Sequence, residues 1–512
     1  MKLLDLDFVP LPGALKAYRA SADAAGLMAF AQAVKESGGR FVALWGSDER
    51  DLKRGFTLHV AFGIEQGLAL LELTLAAEAP EYPDLSEIFP AANRLQRATY
   101  DLLGVKARGA DSRPWLRHAN WPADFFPLRR DADASRQFPP GNEDYEFVRV
   151  EGDGVHEIPV GPIHAGIIEP GHFRFSIVGE KVLRLEQRLG WTHKGIEKRF
   201  EGLTLQHGAR LAGRVSGDST VAYSWAYCLA AESLGNTVVP ARALFLRALF
   251  LERERIANHL GDLGYLGNDA ALAFGFSQFS RLKEDWLRLS GALFGHRFMM
   301  DAIVPGGVAC DLPAGGAEKM LAQCDGLESE VHLLKNIYDE HAGLQDRFLT
   351  TGRLAPELAT LLSIGGLAGR ASSQAWDLRT QNPVPPYDRL ETQIVIQRNG
   401  DVAARVAARF EEIFESLRLI RLLLKDMPAG ELAATLAPAT EGSSAIGWIE
   451  GWRGDVLVSL TAGRDGAIRR CHCQDPSWLA WPALEHAIMG NIVPDFPLIN
   501  KSFNLSYSGA DL

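Results

Sequence analysis

The sequence predicts an α+β protein, with an N-terminal α+β domain over residues 1–130, a linker over 131–144 and a mainly α domain with small β-sheets over 145–512. Three observations predict this. Residues 40–75 carry three short runs, RFVALWGSDER, FTLHVAFGI and LALLELTL, with the alternation of paired strands. Residues 131–144, DADASRQFPPGNED, are polar and contain Pro-Pro-Gly, as linkers do. Residues 239–300, 317–340 and 401–427 are helical in pattern, and Val402, Val406, Phe410, Ile413, Leu417 and Ile420 form the apolar face of the last.

The remaining elements follow in order. A helix fits 23–36, ahead of the strands, and another begins near Pro90, because proline suits a helix's first turn. Strands fit 172–178 and 182–189, joined by a Gly-Glu turn. Residues 190–232 read as a turn, a helix, a glycine-bearing break and a second helix. That stretch holds Trp191, His193, Lys194, Glu197, His207, Arg210, Arg214, Ser216, Asp218, Ser219 and Tyr223 between apolar neighbours. Burying so many polar groups unpaired is costly, so they need partners. Further on, Glu252, Arg255, His259 and Asp262 recur at steps of three, four and three, forming one stripe on a helix. By spacing alone it is either a solvated face with ion pairs or a buried chain of titratable groups between helices, able to pass protons. Arg379 and Asp388, in the loop of residues 365–388, are candidate core polar residues or, in isolation, loop salt bridges. Strands are expected over 447–459 and 467–473, and Cys471 and Cys473 on the latter are read as half-buried thiols, since their spacing with His472 suits zinc poorly.

Composition narrows the function. Of the 512 residues 47% are hydrophobic and 23% charged, ordinary for a globular chain, and the net charge of −11 argues against nucleic acid as a partner. The five cysteines are scattered, which fits a reducing cytoplasm. No apolar run is long enough to span a bilayer, and the acids and proline within MKLLDLDFVPLPG do not read as a secretion signal, so membrane contact is expected only through partners.

Several motifs carry a resemblance. Tyr82-Pro83, Ile88-Phe89-Pro90-Ala91-Ala92, Tyr100-Asp101-Leu102 and Trp121-Pro122 resemble the thirty-kilodalton-type subunit of complex I, a docking module without cofactor. Gly161-Pro162-Ile163-His164, Glu169-Pro170-Gly171-His172-Phe173 and Gly190-Trp191-Thr192-His193-Lys194-Gly195 resemble the large subunits of complex I and of membrane-bound nickel-iron hydrogenases, the hydrogenase-4-like and formate hydrogenlyase-like group. The hydrogenase metal motif, Arg-x-Cys-Gly-x-Cys, is matched by Arg214-Val215-Ser216-Gly217-Asp218-Ser219. Its second, Asp-Pro-Cys-x-x-Cys, is matched by Asn504-Leu505-Ser506-Tyr507-Ser508-Gly509. All four thiolates of the family are therefore replaced, by Ser216, Ser219, Ser506 and Gly509. A serine hydroxyl stays protonated near neutral pH and glycine offers nothing, so no metal and no hydrogenase activity are expected.

The resemblance implies an oxidoreductase subunit, peripheral on the inner, cytoplasmic face of the cell membrane, docked on an iron–sulfur small subunit and on antiporter-like membrane subunits. Electrons from NAD(P)H or another donor would arrive through the partner's iron–sulfur cluster and reduce a quinone-type acceptor, coupled to ion translocation. No cofactor bound directly is expected. His164, Glu169, Trp191, His193, Arg214, Asp218 and Tyr223 are the candidate catalytic residues. Ser216, Ser219, Ser506, Tyr507 and Gly509 are the candidate acceptor cavity. The other expectation is a non-redox scaffold that couples partners. An open slot at the old metal position favours the first and a packed polar plug the second.

Overall fold

The N-terminal sheet follows from the alternation: Phe56–Ile64 and Gly67–Leu75 form a hairpin, Arg40–Asp48 flanks it antiparallel, and Ala17–Ser21 joins parallel on the other side. Asp23 starts the helix Ala24–Glu36 by accepting the Gly26 N–H at 2.7 Å. The computed structural model describes residues 2–3, 6–133, 135–142, 145–164 and 168–512, so 134, 143 and 144 of the expected linker lie outside the described residues.

Every residue of Arg40–Asp48 is buried, because both faces of the strand are covered. The helix Ala92–Leu103 packs against it, and the C-terminal strand Ile468–Gln474 meets it from the rest of the chain. Trp45 there lies between two imidazoles, His59 at 5.1 Å and His472 at 4.7 Å, both nearly parallel to it. Arg40 pairs with Asp455, Arg469 with Glu49 at 2.7 Å and Asp51 at 2.6 Å, and Arg470 donates to the Gly46 carbonyl at 3.1 Å. The N-terminal sheet is thus fastened to the C-terminal sheet by aromatic stacking and ion pairs.

The rest is mainly helical. Thr220–Leu234 is buried at every position, as expected of a helix apolar on all sides. It lies on the three-stranded antiparallel sheet of Ser444–Glu450, Asp455–Ala462 and Ile468–Gln474. Gly447 is required there, since a Cβ would lie 1.7 Å from the Ala226 carbonyl oxygen. The expected strand over 447–459 is in fact a hairpin, broken at Gly451 and Gly454. Cys471 and Cys473 are fully buried, not half-buried. Ala241–Asp269, Ala273–Phe294, Gly316–Glu340 and Val402–Lys425 form the helical body, and His172–Val178 with Lys181–Arg188 forms part of a small meander.

The titratable stripe is buried, and each member is paired. Glu252 accepts from Arg379 at 3.1 Å and from the Ser416 hydroxyl at 2.6 Å, and His259 meets Glu412 at 2.9 Å. Asp262 accepts from Arg409 at 2.9 Å. Arg379 belongs to this network, whereas the Asp388 side chain is 38% exposed and is no core residue: it sits on a short surface turn.

Candidate functional site

Ser216 and Ser506 lie 290 residues apart in sequence, yet their hydroxyl oxygens are 2.9 Å apart. Ser216 is extended, just before the turn Gly217–Ser219 that feeds the helix Thr220–Leu234. Ser506 caps the short helix Tyr507–Asp511, accepting the Gly509 N–H at 2.8 Å, and its own N–H donates to Ser477 Oγ at 2.8 Å. Ser216 donates to Asp218 at 2.7 Å. Ser506 therefore donates to Ser216, and both hydroxyls are satisfied.

Asp218 is clasped by both terminal nitrogens of Arg453, one at 2.9 Å, and Arg453 also reaches Ser219 Oγ at 3.3 Å. Burial opposes ionisation of Asp218, but the Arg453 charge and hydrogen bonds bring its pKa down to about 2. The Asp218 carbonyl accepts from Asn258 at 2.8 Å and from Trp452 at 2.9 Å, and Arg453 covers the Trp452 ring at 4.0 Å.

The fourth corner is filled by a carboxylate. A Cβ on Gly509 would lie 2.3 Å from Asp475 Oδ2. Asp475 accepts from the Tyr223 hydroxyl at 2.8 Å and from the Ser477 N–H at 2.9 Å. Burial raises the Asp475 pKa, with Arg453 working against it, and burial together with Asp475 pushes Tyr223 well above the usual phenol value. Ser216, Ser219, Ser506 and Gly509 are thus set in a polar plug: hard oxygen donors already hydrogen-bonded, with a guanidinium beside them. This donor set does not fit a nickel-iron centre.

Two openings adjoin the plug. A cleft of about 310 Å³ is edged by Glu169, Ser216, Asp218, Arg453, Ser506 and Ser508. A cavity of about 540 Å³ lies beside it, walled by His164, Phe173, Tyr265, Asp269, Phe496 and Tyr507 among others. Ile168, Lys501, Asn504, Leu505 and Tyr507 border both. Burial raises the Asp269 carboxyl above its usual range.

The structure therefore brings Ser216, Asp218, Ser219, Tyr223, Ser506, Tyr507 and Gly509 together, with Glu169 on the rim of the cleft, which Ser219 and Tyr223 do not line. Glu169 accepts the Ser508 N–H at 3.0 Å. Three candidates lie apart. Trp191 is 37% exposed, 4.1 Å from the His118 ring, and Arg214 holds Asp301 at 2.6 and 2.7 Å on the outside. His193 bonds to the Asp511 carbonyl at 2.7 Å, fixing the C-terminal helix rather than lining either opening.

Sequence reasoning missed Arg453, Asp475 and Glu254. Arg453 sits in Trp-Arg-Gly-Asp at a hairpin bend, and Asp475 in Asp-Pro right after a strand, signals visible only once the strands are placed. Glu254 lies one residue off the stripe and accepts the Val221 and Ala222 N–H groups at 2.7 and 3.2 Å. Burial, then Asp218, push its pKa up to about 8, so the folded state holds a proton there that the unfolded chain has lost above about pH 4.5. Stability from this group is therefore expected to fall with rising pH between those values, with a slope of up to about 1.4 kcal/mol per pH unit. Denaturant titrations of wild type and Glu254→Gln across pH 5–8 check this: the stability difference should shift steadily in the variant's favour.

The stripe reaches this site, because Asn504, two residues before Ser506, donates to Asp262 at 2.6 Å. Asn504 thus ties the edge of the cleft to the Asp262 end of the stripe.

Fold and site together define a class. A family model described as the 49 Kd subunit of respiratory-chain NADH dehydrogenase matches residues 266–441, and one described as the 30 Kd subunit matches 20–138. The chain belongs to the family of complex I and membrane-hydrogenase large subunits, with the 30 Kd-type and 49 Kd-type parts fused. Among its relatives, formate hydrogenlyase subunit 5 of Escherichia coli (strain K12) is 31% identical over 93% of this chain and 85% of its own length. Hydrogenase-4 component G of the same strain is 29% identical over 91% of this chain and 83% of its own. A fused subunit of the NADH-quinone oxidoreductase of Bacteroides thetaiotaomicron is 27% identical, covering 84% of this chain and 86% of its own. A protein of the membrane-bound sulfane sulfur reductase, an archaeal respiratory membrane complex, shares the fold with a TM-score of 0.66 and 23% identity, over 70% of this chain and 99% of that one. Among the described residues no helix is long and apolar enough to cross a membrane.

Proposed function

We propose that this chain is the large subunit of a membrane-associated respiratory oxidoreductase that passes electrons to a quinone-type acceptor without a nickel-iron centre. It sits on the cytoplasmic face, between an iron–sulfur small subunit and antiporter-like membrane subunits, and 131–144 separates its two domains. The observation that carries this reading is the aromatic-walled cavity of about 540 Å³ beside the sealed metal position. The acceptor ring belongs there and not among the serines, whose smaller cleft is edged by charged and hydroxyl groups already bonded to one another.

A quinone that takes two electrons also takes two protons. His164, Lys501 and Asp269 stand in the cavity wall to donate them, and the Asp269 carboxyl is suited to it because burial favours its protonated form. Glu169 and the Asp262 end of the stripe lie next to the cleft and can reload them. The polar plug favours the scaffold reading for the serine cluster itself: there the side chains fix the C-terminal helix on the core.

One experiment separates the readings. Ile168 borders both openings and is 42% exposed, so tryptophan there narrows them without crowding the core. In the purified native assembly, Ile168→Trp is expected to lower turnover of a short-chain ubiquinone analogue by about tenfold or more, with assembly and melting unchanged. Unchanged turnover would hand the function to the scaffold reading.

A further inference from the structure

Far from the site, residues 391–397 run without turn or bend between the surface turn Tyr387–Arg389 and the helix Val402–Lys425. Their ends are fixed. Arg418 holds the Glu391 carbonyl at 3.0 Å, Glu415 accepts the Gln393 N–H at 2.8 Å, and Gln397 exchanges bonds of 2.9 Å with Arg370 and Ser373. Between those anchors, the N–H groups of Ile394, Val395 and Ile396 and the carbonyls from Thr392 to Ile396 make no hydrogen bond to the described residues. The segment reads Thr-Gln-Ile-Val-Ile-Gln, rich in β-branched residues, with no charge and no proline. Proteins protect open edges with charge, proline or a bulge, and this one has none.

The segment borders a groove of about 820 Å³, whose other wall includes Glu411, Phe414, Arg418 and Arg421. Arg418 is held by Glu415 at 2.7 Å, and Arg421 by Asp325 and Glu328 at 2.8 and 2.7 Å. Glu411 makes no ion pair with the described residues, so among them it is the groove's uncompensated charge.

We propose that residues 392–396 are a docking edge for an extended segment of a partner subunit, paired main chain to main chain, with a basic side chain opposite Glu411 and apolar ones against Ile396 and Phe414. A helix would leave the open main chain unpaired. A second copy of this chain would bring two Glu411 carboxylates into one interface, which repel.

Hydrogen exchange of the full chain, alone and in its native assembly, tests this. Amides 394–396 are expected to exchange freely in the isolated chain and about a hundredfold or more slower in the assembly. Val395→Pro removes a donor that makes no hydrogen bond to the described residues, so the isolated variant should melt like wild type yet bind the assembly at least about tenfold more weakly. Equal exchange in both states overturns the proposal, as does a Val395→Pro chain that assembles normally. Protection that appears in the isolated chain with rising concentration would mean a second copy and also overturns it.

Discussion

Replacing Arg370 by leucine is expected to destabilise the protein by about 3–5 kcal/mol, a large fraction of the stability of an ordinary domain. Arg370 is fully buried and bonds Glu412 at 2.9 Å and Glu450 at 2.7 Å, with Asp377 3.5 Å away. Burial works against its charge, but these carboxylates more than restore it. Without the guanidinium they face each other in a medium that solvates them poorly. The sign with pH follows. Arg370 helps to hold Glu412 and Asp377 low and opposes the burial that already raises Glu450, so its loss moves all three folded pKa values up, and the penalty grows as pH rises and shrinks in acid. Chemical denaturation at pH 5 and pH 8 checks both statements. Arg421→Leu is the control: its pairs with Asp325 and Glu328 are partly solvated, so it should cost less than about 1 kcal/mol.

The same network shows what a sequence reveals. The spacing of Glu252, Arg255, His259 and Asp262 places them on one helical stripe, and the polar density of 190–232 demands partners. The partners themselves, Glu412, Arg379, Arg409 and Asn504, come from segments more than a hundred residues away, which no local period encodes. The strands and helices were legible because burial of one face imposes a period of 2 or 3.6. Asp388 misled because a charged residue beside Pro-Pro-Tyr reads the same on a surface turn as in a core loop. In the site, the motifs put hydroxyls and a glycine where the resemblance leads one to expect thiols. What surrounds them was not legible, since Arg453 and Asp475 belong to the hairpin and to the strand end that the fold brings under the C-terminal helix.

Gly509 is where those surroundings are tested most sharply. Gly509→Ala is expected to cost about 2–3 kcal/mol, because the new methyl would sit 2.3 Å from Asp475 Oδ2 and 2.6 Å from its Cγ. Asp475 cannot simply swing aside, since it holds the Tyr223 hydroxyl and the Ser477 N–H inside the core. Asp475→Ala alone should cost about 1–3 kcal/mol by orphaning those two donors. Together the two changes should cost less than their sum by about 1–2 kcal/mol, because the truncated Asp475 frees the space that the methyl needs. Strict additivity in denaturant unfolding would mean that position 509 tolerates a side chain beside Asp475. The coupling also bears on metal binding. Placing cysteines at 216, 219, 506 and 509 leaves the Asp475 carboxylate where the fourth sulfur must go and Arg453 within 3.3 Å of the side chain at 219, so the four thiols alone should bind no nickel, as elemental analysis of the purified variant would show.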